Sequence, residues 1–430
     1  MKKQLCLALV IAASVAAPSD GQCFAQSQKL TLRQALAYAL DNHPSLRAAE
    51  AGVRSSSAGL TQAEANYYPS LSISAGGTHT DGAFVFNPSF PPRNQTYNSY
   101  SAGLAIQQTV YDFGRTHGRV AANDKFREAS TMDLDAARQN VIANVQLAYF
   151  TAVQARGVVR VAEETVAQME KHLAQANAFY KAGTRPLFDV TKAEVDVANA
   201  NVNLIQARNQ FRVSVVQLDN AMGLHPTGDV ELADTLSVVP FVEPLDSAKA
   251  VALRERPEML AAAARLDADQ HLVSAAWSQN LPSLSASGNW TWSAFTFPLY
   301  SRWNAGVTLT LPIFQGFAVS GQVEQARANV DAAQAAIDLL KESIILDVEQ
   351  ASLGLTEASE RIIATTKLVE QAEQNLNLAE RQYVAGVGTA IETSDAQVAL
   401  ANARISKIQA IYDYNGSLIG LQRAMGVIGR

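Results

Sequence analysis

Apolar residues recur at a spacing near 3.6 from about Leu32 to Asn66, after which the period drops to two. Leu71, Ile73 and Ala75 alternate with Ser70, Ser72 and Ser74. Tyr100, Ala102, Leu104 and Ile106 alternate with Ser101, Gly103, Ala105 and Gln107. The change happens again further on, where Leu284, Ala286, Trp290 and Trp292 precede Trp303, Ala305, Val307, Leu309 and Leu311. The other positions of these later runs hold Ser283, Ser285, Asn289, Asn304, Thr308 and Thr310. Each alternation predicts one β-hairpin with strands of about ten residues, the length that crosses a bilayer at a tilt. The first hairpin is expected to turn through a proline-rich loop from Asp81 to Ser99, the second through the shorter Ser293 to Tyr300. Tyr100, Trp290, Trp292 and Trp303 then fall at strand ends, where interfacial aromatic girdles lie.

Beyond each hairpin the helical period returns and persists. Gly321 to Tyr383 passes without an internal proline, roughly 95 Å of helix at about 1.5 Å per residue. Its seam reads Val323, Ala326, Val330, Ala333, Ile337, Leu340 and Ile344. After one stutter it resumes as Val348, Ala351, Leu355, Ala358, Ile362, Thr365, Val369, Ala372, Leu376, Ala379 and Tyr383. Steps of three and four alternate, as in a coiled coil. The small residues interleaved with large ones let a neighbouring helix come close. A return helix carries the same alternation in Val190, Ala193, Val197, Ala200, Leu204, Ala207 and Phe211.

These parts are used twice. His43-Pro44-Ser45-Leu46 returns as Arg256-Pro257-Glu258-Met259, and Tyr68-Pro69-Ser70-Leu71 as Leu281-Pro282-Ser283-Leu284, at one offset. Tyr180-Lys181-Ala182-Gly183 returns as Tyr383-Val384-Ala385-Gly386, and Ala221-Met222-Gly223 as Ala424-Met425-Gly426, at a smaller offset. The difference lies in the two loops of unequal length. The chain reads as a tandem duplication: residues 26–223, a linker over 224–245 marked by Pro226, Pro240 and Pro244, and residues 246–430.

Lys2 and Lys3, the apolar run from Leu5 to Ala17 and the small residues up to Ala25 read as a signal peptide over residues 1–25. Cys23 lies where a lipidated cysteine could be, but Asp20-Gly21-Gln22 before it disfavours that reading. Cys6 and Cys23 are the only cysteines, and both leave with the signal, so the mature chain has no disulfide and no thiolate site. A net charge of −6 with 17% charged residues offers no basic surface to nucleic acid. The six histidines are scattered, with no metal-binding spacing, no phosphate loop and no nucleophile elbow. Neither an enzyme nor a cofactor is expected.

No run of apolar residues is long enough for a membrane helix, so a membrane role must use strands. Open sheet edges cannot face lipid, because their unpaired backbone groups cost several kcal/mol each. Four strands are too few to close; two copies would make eight and a filled interior, three would make twelve and a lumen. The competing reading is a periplasmic coiled-coil adaptor or scaffold whose hairpins form a soluble cap.

The duplicated layout, the Tyr68-Pro69-Ser70-Leu71 opening of the hairpin, Tyr111-Asp112-Phe113-Gly114 before the long helix, and the two Tyr-x-x-Gly turns resemble the TolC-like outer-membrane factors. The resemblance spans essentially the whole mature chain. It implies a mainly α fold: a long α-helical barrel of antiparallel coiled-coil hairpins in the periplasm, joined to a 12-stranded transmembrane β-barrel built by a homotrimer with four strands per chain. It further implies an exit duct in the outer membrane, in contact with its lipid, for efflux or type I secretion. The partners would be a periplasmic adaptor (membrane fusion) protein and an inner-membrane transporter.

By position, Gly183, Thr184, Gly386 and Val387 inherit the adaptor-contacting tip, although helix capping alone also accounts for the glycines. Asp189 and Tyr383 match positions that hold the tip shut. Glu392 and Asp395 match the acidic pair at the narrowest point, and Thr389 with Glu392 also reads as a capping box. The family's arginine two residues after the second glycine is absent, Gly388 standing there, with Arg185 as a possible substitute.

Overall fold

The computed structural model describes residues 30–84, 93–224, 232–233, 237–241 and 243–429. The signal peptide and half of the expected linker lie outside them. Thr31 opens α1 (Leu32–Asn42) with a reciprocal capping box to Gln34. The helical stretch from Leu32 to Asn66 is divided at His43, whose φ of −64° and ψ of 128° leave the helical region. Pro44 is the cause, since a proline disfavours the α conformation of the residue before it and suits the first position of the next helix. That next helix, α2 (Pro44–Glu64), ends in a 3-10 turn, Ala65–Tyr67. Arg256 and Pro257 divide α5 (Leu245–Glu255) from α6 (Pro257–Trp277) in the same way.

Each helix pair leads into a hairpin. Strands β1 (Ser70–Phe84) and β2 (Arg93–Tyr111) are 15 and 19 residues long, well beyond the ten expected. Much of the segment read as a loop, Asp81 to Ser99, therefore extends the strands. Tyr100 consequently lies inside β2 and not at its end, although it stands level with Ala294, the last residue of β3. The extension is a polar ladder: Thr78 bonds Ser99 at 2.6 Å, His79 bonds Asn98 at 2.7 Å and Thr96 donates to Asp81 at 3.2 Å. Strands β3 (Ser283–Ala294) and β4 (Tyr300–Thr310) keep nearly the expected length. Together they form one antiparallel sheet in the order β1-β2-β3-β4, with β1 and β4 as its edges.

The long helices are α3 (Arg115–Lys181) and α7 (Ala318–Val384), 67 residues each, or about 100 Å. Each turns back into a shorter helix, α4 (Leu187–Met222) or α8 (Ala390–Ala424). Pro186 stands just before α4, at its N-cap position. Near the sheet, α3 packs on α2 and α6, and α6 on α7; toward the far end α3 packs on α4 and α8, and α8 on α7. Every α7 seam position is buried or half-buried, with Val348, Leu355 and Ala358 in one cluster against Tyr414 and Leu421 of α8. The alanines Ala372, Ala379, Ala396 and Ala403 alternate with Leu376 and Leu400 in another, so α7 and α8 approach closely over small side chains.

Candidate functional site

The cross-strand register sorts the sheet into two faces, because residues directly opposite in antiparallel strands point the same way. Ile73, Leu104, Trp290 and Trp303 form one row across all four strands, and Leu71, Ile106, Gly288 and Ala305 the row beside it. The other face carries Ser72, Ala105, Asn289 and Asn304 in one row, and Ser70, Gln107, Ser287 and Gly306 in another. No described residue covers the apolar face: Ile73 is 80% and Trp303 76% exposed. Apolar outside, polar inside and an aromatic boundary is the pattern of a strand set meant for lipid. A second aromatic group marks the helix end of the sheet, where Tyr111 meets Phe113 at 4.7 Å and Phe314 meets Phe317 at 5.6 Å, all four exposed. No helix among the described residues is long and apolar enough to cross a membrane.

At the other end, α3 and α7 stop in matching turns. Gly183 and Gly386 take φ of +70° and +84°, which a side chain would resist, and nothing lies within 4 Å of where a Cβ would be. The amide of Gly183 donates to the Tyr180 carbonyl and that of Thr184 to the Phe179 carbonyl, both near 3 Å; Gly386 and Val387 repeat this with Tyr383 and Gln382. Thr184 and Val387 are exposed at the apex, Val387 with 81% of its surface open.

Just inside this apex the two helical hairpins are tied together. The Tyr383 hydroxyl donates to Asp189 at 3.3 Å, and both side chains are buried. Burial first, and the Asp189 carboxylate second, push the Tyr383 phenol above its ordinary range. Arg185 reaches across to donate to the carbonyls of Tyr383 and Gly388 at 3.0 Å each, and its guanidinium lies 4.8 Å from the centre of the Tyr383 ring. One turn deeper, Ser394 of α8 donates to Asp196 of α4 at 2.6 Å, while Lys192 bonds Asp196 at 2.5 Å and Ser394 at 3.3 Å.

Part of this network was open to sequence reading, part was not. The resemblance singles out Asp189 and Tyr383 and leaves Arg185 to stand in for the missing arginine, without showing what it bonds. The Lys192–Asp196 spacing of four marks a helical ion pair, but its bond to Ser394 depends on packing. No motif in the sequence marks His172. It occupies an apolar seam position between Met169 and Ala176, and its ring lies 5.2 Å from that of Tyr383. Burial above all lowers the His172 pKa, opposed by the carboxylates of Asp196, Asp189 and Glu380 and helped by Lys192, so the imidazole is neutral at pH 7.

Glu392 and Asp395 stand on the first turns of α8. Glu392 accepts the Thr389 amide at 2.8 Å and returns its own amide to the Thr389 hydroxyl at 3.2 Å, so it is a capping residue. Asp395 is exposed one turn on and has no ion-pair partner among the described residues. No group of three or more His, Cys, Asp or Glu side chains suited to a metal ion occurs among the described residues.

The chain is similar to Outer membrane protein TolC of Escherichia coli K12, with 24% identity over 94% of this chain and 83% of that protein. It is also similar to Outer membrane protein OprJ of Pseudomonas aeruginosa, with 27% identity over 92% of this chain and 84% of the relative. The fold matches the crystal structure of the Campylobacter jejuni CmeC outer membrane channel with a TM-score of 0.82, covering 92% of this chain and 85% of that one at 20% identity. The model of the family described as "Outer membrane efflux protein" matches residues 35–224 and 250–427. Two-faced sheet, paired helical hairpins and family match agree, and the chain belongs to the outer membrane efflux protein family.

Proposed function

We propose that three copies of this chain assemble into a continuous duct, a 12-stranded barrel in the outer membrane continued by an α-helical barrel in the periplasm. The carrying observation is the two-faced, four-stranded sheet whose edges β1 and β4 have no paired strand among the described residues. In lipid those edges must pair with another copy, and three copies give a barrel wide enough for a lumen. The helices support the same closure. Leu339, Leu346 and Leu353 recur every seven residues along α7 and are exposed, as are Val195, Val202 and Ile205 of α4. Exposed heptad rows on two separate helices suit a head-to-tail ring.

The duct conducts substrates handed to it by an inner-membrane transporter through a periplasmic adaptor, in efflux or type I secretion. The exposed apex with Gly183, Thr184, Gly386 and Val387 is the adaptor-contacting surface, and the Asp189–Tyr383–Arg185 network beneath it holds the duct shut. Residues 26–223 and 246–430 act as two versions of one unit, so a trimer presents six hairpins to its partners. The adaptor or scaffold reading fits poorly with an apolar sheet face that has nothing to cover it in water. Extraction in mild detergent followed by mass measurement should give about three mature chains per particle. A folded monomer recovered from the membrane would end the proposal, since two sheet edges would then face lipid.

Glu392 and Asp395 form the constriction in this reading, six carboxylates in the trimer. The capping role of Glu392 puts more of the burden on Asp395. Glu392→Gln combined with Asp395→Asn should weaken block by hexaamminecobalt(III) about tenfold in single-channel recordings, because a ring of like charge concentrates counter-ions. Unchanged block in a conducting trimer would reduce both carboxylates to helix-end charges.

A further inference from the structure

Among the described side chains, the polar face of the sheet is almost free of charge: they are serine, threonine, asparagine, glutamine, tyrosine and alanine, with glycines between them. Among the side chains described there, one is charged: Arg302, on the edge strand β4. It shares its row with Thr291, Gly103 and Ser74. Gly103 presents no side chain beside it, and the two hydroxyls are neutral. Arg302 is exposed and has no carboxylate partner among the described residues. Its row lies between the Trp290–Trp303 and Trp292–Ser301 rows of the other face, so it stands at the depth of the tryptophans, near the ends of β3 and β4 away from the helices.

We propose that Arg302 makes the tryptophan level of the barrel lumen an anion-attracting ring, a subsite for phosphate, sulfonate or carboxylate groups on passing solutes. This rests on the trimeric duct reading, which brings three copies of Arg302 to one level of the lumen. A guanidinium stays charged at any physiological pH and pairs such groups through a planar fork of donors. The lining around it supplies hydroxyl and amide groups and no competing carboxylate, so the three cations are not cancelled locally. Their sign is opposite to that of Glu392 and Asp395 at the far end of the duct. The attraction reaches about 10 Å at 0.1 M salt and about 3 Å at 1 M. In a wide lumen it acts mainly at low ionic strength and on multivalent anions.

The test uses the full mature chain in planar bilayers at 0.1 M salt, with inositol hexakisphosphate added to the barrel side. The parent channel should be blocked in a concentration-dependent way, and the block should fade at 1 M salt. Arg302→Gln should need at least tenfold more of the anion for half-block, while Arg302→Lys should stay within about threefold of the parent. Both variants should run as trimers with parental conductance in the absence of the anion. Equal block of the parent and Arg302→Gln, or no block of a conducting parent at 0.1 M salt, overturns the Arg302 subsite and leaves the duct standing. Failure of the parent to form a conducting trimer overturns the duct reading, and the ring with it.

Discussion

Tyr383→Phe combined with Asp189→Asn and Arg185→Ala should raise single-channel conductance several-fold while the trimer stays intact. These three side chains tie the turn between α7 and α8 to α4 and the turn before it, close to the apex. A hydrogen bond to a charged group contributes roughly 1.5–3 kcal/mol net, and here the Tyr383 and Asp189 ends are buried at 1% and 6% exposure. About 2 kcal/mol per protomer, applied to three protomers that open together, amounts to about 6 kcal/mol. A shift of about 5.5 kcal/mol carries a two-state equilibrium from 1:99 to 99:1. The triple variant should therefore be open most of the time.

Tyr383→Phe alone keeps the ring beneath Arg185 and both guanidinium–carbonyl bonds, so it should open the channel only in part. A triple variant that conducts like the parent would show that the network is local packing and that closure is held elsewhere. Gly388 matters to this argument. Where the related channels are expected to carry an arginine, this chain offers only a carbonyl, and Arg185 of the other turn donates to it. Arg185 thereby ties the turn before α4 to the turn before α8.

Ala358→Trp or Ala372→Trp should lower the temperature at which the detergent-solubilised trimer dissociates, whereas Ser359→Trp should leave it nearly unchanged. Ala358 is fully buried beside Leu355 and Tyr414, and Ala372 packs with Leu376 and Leu400. An indole at either site has no space to enter. Overpacking of a well-filled core costs about 1–3 kcal/mol or more, and the trimer carries the change three times. Ser359 is exposed, so the same indole there meets solvent. Equal losses at the buried and exposed positions would mean that side-chain bulk at the seam does not control the packing of α7 on α8.

What the linear pattern recorded well is whatever repeats over a few residues. The α7 seam from Val323 to Tyr383 follows three-and-four steps, and those positions are the ones that turn inward. The strand faces followed from alternation in the same way: Leu71 and Ile73 on one side, Ser70 and Ser72 on the other, continued by the register through β2, β3 and β4. A signal of that kind sits in neighbouring residues, because backbone geometry alone decides which of them share a face.

Tertiary structure decided what depends on distant partners. Residues from Asp81 to Ser99, rich in asparagine and proline, look like a loop, yet His79 with Asn98 and Asp81 with Thr96 build a polar ladder that lengthens the strands. Neither half of such a pair shows any apolar alternation, so nothing local distinguishes it from a turn. Arg185 lies 198 residues before Tyr383 and 203 before Gly388, and Ser394 lies 198 after Asp196. Only the side-by-side packing of two hairpins from opposite halves of the chain brings those groups within bonding distance. The heptads determined that the hairpins would form; the contact between them near the apex came from the fold.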